Sequence, residues 1–179
     1  VKQANRSAKA EFRFRVHDVV LPETQSLQSI HWLWPEPFNL TRDNVPDWWS
    51  ERHWTLLENS ARQLRRFGDT VLYTPLVNHK EPLIQIIANE NGGYDFDYTR
   101  FNRWIEMFSK LGYQYFAGHH ILNLPLAHSG GVFVREAKTG EKKTLFNFAQ
   151  REEWVAFLPT FYDSLHAHLT APGRTDRFP

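Results

Sequence analysis

Two adjacent histidines, His119 and His120, stand at the end of a short apolar run that follows a helix-to-strand turn. The ends of strands in an α/β fold are where such a fold keeps its chemistry. Adjacent strand residues point to opposite faces, so both rings can serve one site only if the strand has already ended. Asn78 and His79 hold the equivalent place after an earlier run and are suited to hydrogen-bonding a polar ligand, or to turn chemistry. Trp32 and Trp34 flank the end of a still earlier run; either ring can stack on a sugar or pack in a core. Asp95 and Asp97 precede a helix, where carboxylates are stabilised by capping, so they are read as structural. Glu152 and Glu153 read as a solvated first-turn pair. His119, His120 and His128 have no carboxylate or Cys at ligand spacing, so neither a metal nor a cofactor is expected.

The elements that carry these residues follow from periodicity. Phe101, Ile105, Phe108 and Leu111 form a helical stripe, with Asp97 as the expected N-cap and Gly112 as the stop. Tyr113 to Ala117 is the strand that ends at Gly118, His119 and His120. Earlier, Ile30 to Trp34 reads as a buried strand stopped by Pro35 and Pro37, and a long connection runs from Glu36 to Asp47. A helix with Asp47 as N-cap follows, its face made by Trp49, His53, Leu56, Leu57, Ala61 and Leu64. Thr70 to Leu76 is the next strand. Pro82 to Asp95 reads as a β-excursion with a turn at Asn91-Gly92-Gly93. A second excursion spans Val132 to Phe146, turning near Thr139-Gly140. Asn147 and Gln150 have capping-box spacing before a helix from Gln150 to Leu169, which Pro159 should bend or interrupt.

The order strand, helix, strand, helix, strand, helix indicates a parallel sheet with crossover helices. It leaves an open doubly wound sheet or part of a (β/α)8 barrel. No Gly-x-Gly-x-x-Gly or Walker sequence follows a strand, which weakens the nucleotide-binding form. Only three β/α units fit, whereas a complete barrel takes about 250 residues. Ahead of them, residues 1–10 read as a poorly packed lead-in. Phe12, Phe14 and Val16 then alternate with Arg13, Arg15 and His17, which predicts a half-buried antiparallel strand over Glu11 to Leu21.

Composition bounds the function. The chain has 179 residues, 41% hydrophobic, enough for one domain with a real core. Its 21 basic and 20 acidic residues nearly cancel, giving no argument for nucleic acid or an anionic membrane as a partner. There is no apolar run long enough for a membrane helix, and Val1 to Ala10 has no apolar signal-peptide core. The absence of Cys excludes thiolate metal sites and leaves the compartment open. Seven Trp suit carbohydrate binding, with core packing as the plainer use of most of them.

At the level of longer motifs, Trp49-Ser-Glu-Arg-His-Trp-Thr-Leu-Leu-Glu, Tyr73-Thr-Pro-Leu and Tyr94-Asp-Phe-Asp-Tyr-Thr-Arg-Phe-Asn-Arg-Trp-Ile resemble glycoside hydrolase family 123. Gly118-His-His, Leu145-Phe-Asn and Phe157-Leu-Pro-Thr-Phe-Tyr-Asp-Ser-Leu fit the same pattern. Val16-His-Asp-Val-Val-Leu-Pro resembles the end of the β-sandwich that precedes the barrel in that family. The resemblance implies a partial (β/α)8 barrel, its first three β/α units in residues 29–179, behind a sandwich remnant in residues 1–28. It implies a bacterial-type hydrolase acting on β-linked N-acetylgalactosamine by substrate assistance, in which the acetamido oxygen attacks the anomeric carbon. That route is an exception to the two-carboxylate scheme. An adjacent Asp-Glu pair carries the family's chemistry, and no Asp-Glu dipeptide occurs in this sequence. No catalytic residue is therefore assigned. His119, His120, Asn78, His79 and Trp34 are the expected substrate-binding residues. The expected partners are the glycan and the rest of the barrel, from the same gene or a second chain, with self-association through open sheet edges if it is missing. A glycan substrate implies a secreted or periplasmic setting. The alternative is a non-catalytic carbohydrate-binding or interaction module.

Overall fold

The computed structural model describes residues 2–3, 6–7, 9–20, 28–77, 81–122 and 130–171. It is a mixed α/β structure. β1 (Lys2–Gln3) and β2 (Arg6–Ser7) form a short antiparallel ladder where only an irregular lead-in was expected. The strand expected over Glu11 to Leu21 is absent across its described part. Residues 9–20 carry no regular structure, and Phe12, Phe14 and Val16 are more than four-fifths exposed. The alternation is real, but no described segment pairs with it, and a strand without a neighbour is not stable.

β3 (Ile30–His31), β4 (Val71–Thr74) and β7 (Tyr115–Gly118) make a parallel sheet in the order β3-β4-β7. Ile30 faces Val71, and Val71 faces Tyr115. α2 (Glu51–Arg66) connects β3 to β4, and α3 (Thr99–Lys110) lies between β4 and β7. β3 is shorter and more exposed than its apolar sequence predicts. Among the described residues it pairs on one side only, with β4, and Pro35 ahead has no N–H to extend the ladder. The connection after it contains one helical turn, α1 (Pro37–Leu40).

α2 begins later than its sequence suggests. Ser50, not Asp47, is the N-cap, its Oγ accepting from the His53 amide at 3.3 Å. Asp47 instead closes the turn before it, its carbonyl accepting from the Ser50 hydroxyl at 2.8 Å. Trp49 sits in that turn at φ 60°, a conformation uncommon for an aromatic residue. α3 likewise starts at Thr99. Asp97 remains in the preceding strand and receives the Thr99 amide at 2.8 Å. Gly112, at φ 91°, ends α3 as the sequence predicts.

The two β-excursions form one sheet. β5 (Gln85–Ala88) pairs with β6 (Tyr94–Asp97), and β8 (Val132–Glu136) with β9 (Lys142–Phe146). β5 and β8 then pair in parallel, giving the order β6-β5-β8-β9. Gly131 is required at its start, because φ is 122° and a Cβ there would meet the Phe146 carbonyl at 2.3 Å. Glu81 fastens this sheet to α3. Its carboxylate accepts from Lys142 at 2.9 Å and Arg100 at 3.1 Å, and its carbonyl accepts from the Trp49 indole at 3.0 Å. Burial alone would raise the Glu81 pKa; Lys142 and Arg100 outweigh it and hold the carboxyl below its ordinary value.

α4 (Arg151–Thr170) is entered through a 3-10 turn at Phe148–Gln150, with both halves of the Asn147–Gln150 capping box in place. It runs unbroken through Pro159, whose side is exposed. The core lies where the helices meet the sheets. Trp54, Leu57 and Ala61 of α2, Phe101, Trp104 and Phe108 of α3, and Trp154 and Phe161 of α4 are all buried in one cluster. No helix among the described residues is long and apolar enough to cross a membrane.

Candidate functional site

The C-terminal ends of the three parallel strands bring five rings together. Trp32 and Trp34 follow β3, Tyr73 lies in β4, and His119 and His120 follow β7. The strand ends at Gly118, so the opposition of adjacent side chains no longer applies, and both histidines touch the Tyr73 ring, at 4.8 and 6.2 Å between centroids. Trp32 stacks flat on Tyr73 at 4.8 Å and 5°. Its edge contacts are Trp34 at 5.7 Å and His120 at 5.9 Å. Trp34 meets His119 edge-on at 6.1 Å.

Exposure divides the cluster in two. Tyr73 and His119 are buried and form its floor, whereas Trp32 and Trp34 are 50% and 39% exposed and His120 is exposed. The His119 amide donates to the Thr74 carbonyl at 2.9 Å, carrying the β4–β7 register one residue past the strand end. Its Nδ1 lies 3.3 Å from the His120 carbonyl. Burial raises the Tyr73 hydroxyl pKa, an effect the His120 backbone amide partly offsets, so Tyr73 stays a neutral phenol.

A second layer holds the loop that follows Trp34. His53, wholly buried on α2, accepts the Trp49 amide on Nδ1 at 2.9 Å. Its Nε2–H is then the donor to the Pro35 carbonyl at 2.7 Å. Burial lowers the His53 pKa despite the Pro35 carbonyl, which acts in the opposite direction. The neutral ring therefore staples the Trp48–Trp49 turn to the residue that follows Trp34.

The other sequence candidates stand apart from this cluster. Asp97 accepts from Thr99 and from Gln85 Nε2 at 3.0 Å, and Asp95 from Asn89 at 3.4 Å, both in the second sheet. Glu152 and Glu153 are exposed in the first turn of α4. Asn78, His79 and His128 lie outside the described residues. Among the described residues no group of three or more His, Cys, Asp or Glu side chains is placed to hold a metal ion. Sequence reading assigned no site role to Tyr73 or His53. The signal for Tyr73 was an aromatic residue two positions before the proline that ends its strand. For His53 it was a lone polar residue on an apolar helix face, four positions from Trp49 and Leu57.

Similarity to known proteins converges on one family. The model of the glycoside hydrolase 123 catalytic domain matches residues 34–178. A solved structure of a family 123 glycoside hydrolase from Clostridium perfringens, described in terms of glycolipid glycan hydrolysis, superposes with a TM-score of 0.62 at 18% identity. That superposition covers 83% of this chain and 28% of the Clostridium perfringens chain, and at this identity it speaks to fold alone. No curated protein matches the sequence. The family match spans most of the chain, and on that ground this protein belongs to glycoside hydrolase family 123, its matched residues lying within the family's catalytic domain.

Proposed function

We propose that residues 29–179 are the first three β/α units of a (β/α)8 barrel and that residues 1–28 end a preceding β-sandwich. In this reading the aromatic cluster binds a terminal β-linked N-acetylgalactosamine. The carrying observation is the convergence of Trp32, Trp34, Tyr73, His119 and His120 at the C-terminal ends of parallel strands in sequential order. That is the end at which barrel enzymes bind substrate. His119, His120 and Trp34 contact the sugar, and Asn78 and His79 are assigned to the same role by their sequence position after β4, the strand that carries Tyr73. The glycolipid glycans of the Clostridium perfringens relative are a substrate class compatible with such a terminal sugar.

Hydrolysis then proceeds by substrate assistance. The acetamido oxygen attacks the anomeric carbon, an Asp holds the acetamide, and the neighbouring Glu protonates the leaving oxygen. This sequence contains no Asp-Glu pair, so the chain contributes binding and the pair comes from the remainder of the barrel. Among the described residues β3 and β7 each pair on one side only, leaving two edges for that remainder to complete.

In the complete enzyme, His119→Ala or His120→Ala should lower kcat/KM by about tenfold, about 1.4 kcal/mol of transition-state binding. Steady-state kinetics on an aryl N-acetyl-β-galactosaminide gives the value. If both variants stay within about twofold of the parent, about 0.4 kcal/mol, neither histidine serves the site.

A further inference from the structure

Trp49 holds a backbone conformation that its side chain opposes. Its φ of 60° lies in the left-handed region, which Asn44 enters at φ 55° with little cost and a bulky aromatic residue does not. Such strain persists only where the surroundings over-determine it, and it concentrates at functional sites. The surroundings here are specific. The Trp49 amide donates to His53 Nδ1 at 2.9 Å, and its indole N–H donates to the Glu81 carbonyl at 3.0 Å. The ring packs against Trp48 at 5.5 Å, His53 at 5.2 Å and Trp54 at 5.0 Å, with the Arg100 guanidinium over it at 5.6 Å. Glycine would accept the backbone freely, but it has no side chain to reach Glu81.

Both ends of this contact chain lead to segments that leave parallel strands. Through His53 it reaches the Pro35 carbonyl at 2.7 Å, one residue after Trp34. Through Glu81 it reaches the excursion that leaves β4. The base of that excursion is closed by the Ile84 amide, which donates to the Leu76 carbonyl at 3.0 Å. Arg100 donates to the next carbonyl, that of Pro82, at 3.2 Å. Trp49 is therefore one link in series between the segment after β3, which carries Trp34, and the segment after β4, which carries Asn78 and His79 in sequence. We propose that Trp49 is a positioning residue for the substrate site: it holds these two segments at one separation and acts through them, not on the sugar. That role rests on the sugar-binding reading above.

The test is kinetic, on the complete enzyme with an aryl N-acetyl-β-galactosaminide, above about pH 7 where His53 is neutral. Trp49→Phe keeps a ring beside Arg100 and removes the indole donor, which cuts the link at Glu81. His53→Gln keeps a donor for Pro35 and removes the ring nitrogen that receives the Trp49 amide, which cuts the link one step earlier. Each should raise KM about fivefold with kcat within about twofold, because a displaced binding segment is lost to the ground and transition states alike. Links in series fail together, so the double variant should again show about fivefold, whereas independent effects would multiply to about 25-fold. A role in folding alone would lower the melting temperature and leave KM in place. If Trp49→Phe does not fold, His53→Gln decides alone, since an unchanged KM there overturns the link equally. Trp34→Ala is the control for the site itself. An unchanged KM in Trp49→Phe, or effects that multiply, beside a raised KM in Trp34→Ala overturns the role of Trp49 and leaves the site reading standing. Unchanged kinetics in Trp34→Ala as well overturns both.

Discussion

Trp154→Ala should remove about 3–5 kcal/mol of stability, the cost of truncating a wholly buried large aromatic side chain. Against the roughly 5–15 kcal/mol by which domains are stable, that is a large share. Two losses combine. The ring packs between Phe146 at 5.8 Å and Phe157 at 5.9 Å, so it joins β9 to α4. Its indole N–H donates to the Ile121 carbonyl at 2.8 Å, one residue after His120. Removing the donor leaves that carbonyl unsatisfied, and the segment carrying the histidines loses its tie to α4. Trp154→Phe separates the terms: it keeps much of the packing and should cost about 1–3 kcal/mol for the lost hydrogen bond. Urea unfolding of the three proteins measures both. A loss below about 1 kcal/mol for the Ala variant would mean that α4 does not depend on this anchor.

His53→Ala should cost about 3 kcal/mol, because it orphans the part-buried Trp49 amide and the buried Pro35 carbonyl together. The same residue sets a pH dependence. Burial depresses its pKa in the folded chain below the ordinary imidazole value of about 6.5. Between the two values the unfolded chain binds the extra proton, so stability rises with pH there. The His53 contribution is complete above about pH 6.5 and is lost as pH falls through the depressed folded value. Protonation also removes the Nδ1 lone pair that receives the Trp49 amide, so the staple behind Trp34 opens in the same range. His53→Gln keeps a donor for Pro35 but cannot titrate. Unfolding free energies between about pH 7 and 5 should therefore fall less steeply for His53→Gln than for the parent. Parallel pH profiles would remove His53 from this role.

Local signals in the sequence carried the helices and hairpins, because each is decided by neighbours in the chain. The stripe of Phe101, Ile105 and Phe108, the stop at Gly112 and the capping box at Asn147 and Gln150 all depend on residues within a turn or two. Non-local pairing was not legible. The parallel contact of β5 with β8, Ile86 opposite Val134, joins segments that each make sense as separate hairpins. The strand expected over Glu11 to Leu21 shows the converse: its alternation asks for a partner sheet, and alternation alone cannot supply one. The site was half legible for the same reason. His119, His120, Trp32 and Trp34 announce themselves by residue type at strand ends. Tyr73 as a stacking base and His53 as a two-ended staple exist only once β3, β4 and α2 are side by side.

The central claim is that this chain binds the sugar while the catalytic pair lies elsewhere in the barrel. Incubating the purified chain with an aryl N-acetyl-β-galactosaminide, beside the complete enzyme, and following phenolate release puts it to the test. A positioned acid and base contribute about 10²–10⁴-fold, so the chain alone should release no phenolate above buffer while the complete enzyme turns over. Turnover by the chain alone that disappears when one of its own residues is replaced would contradict the account.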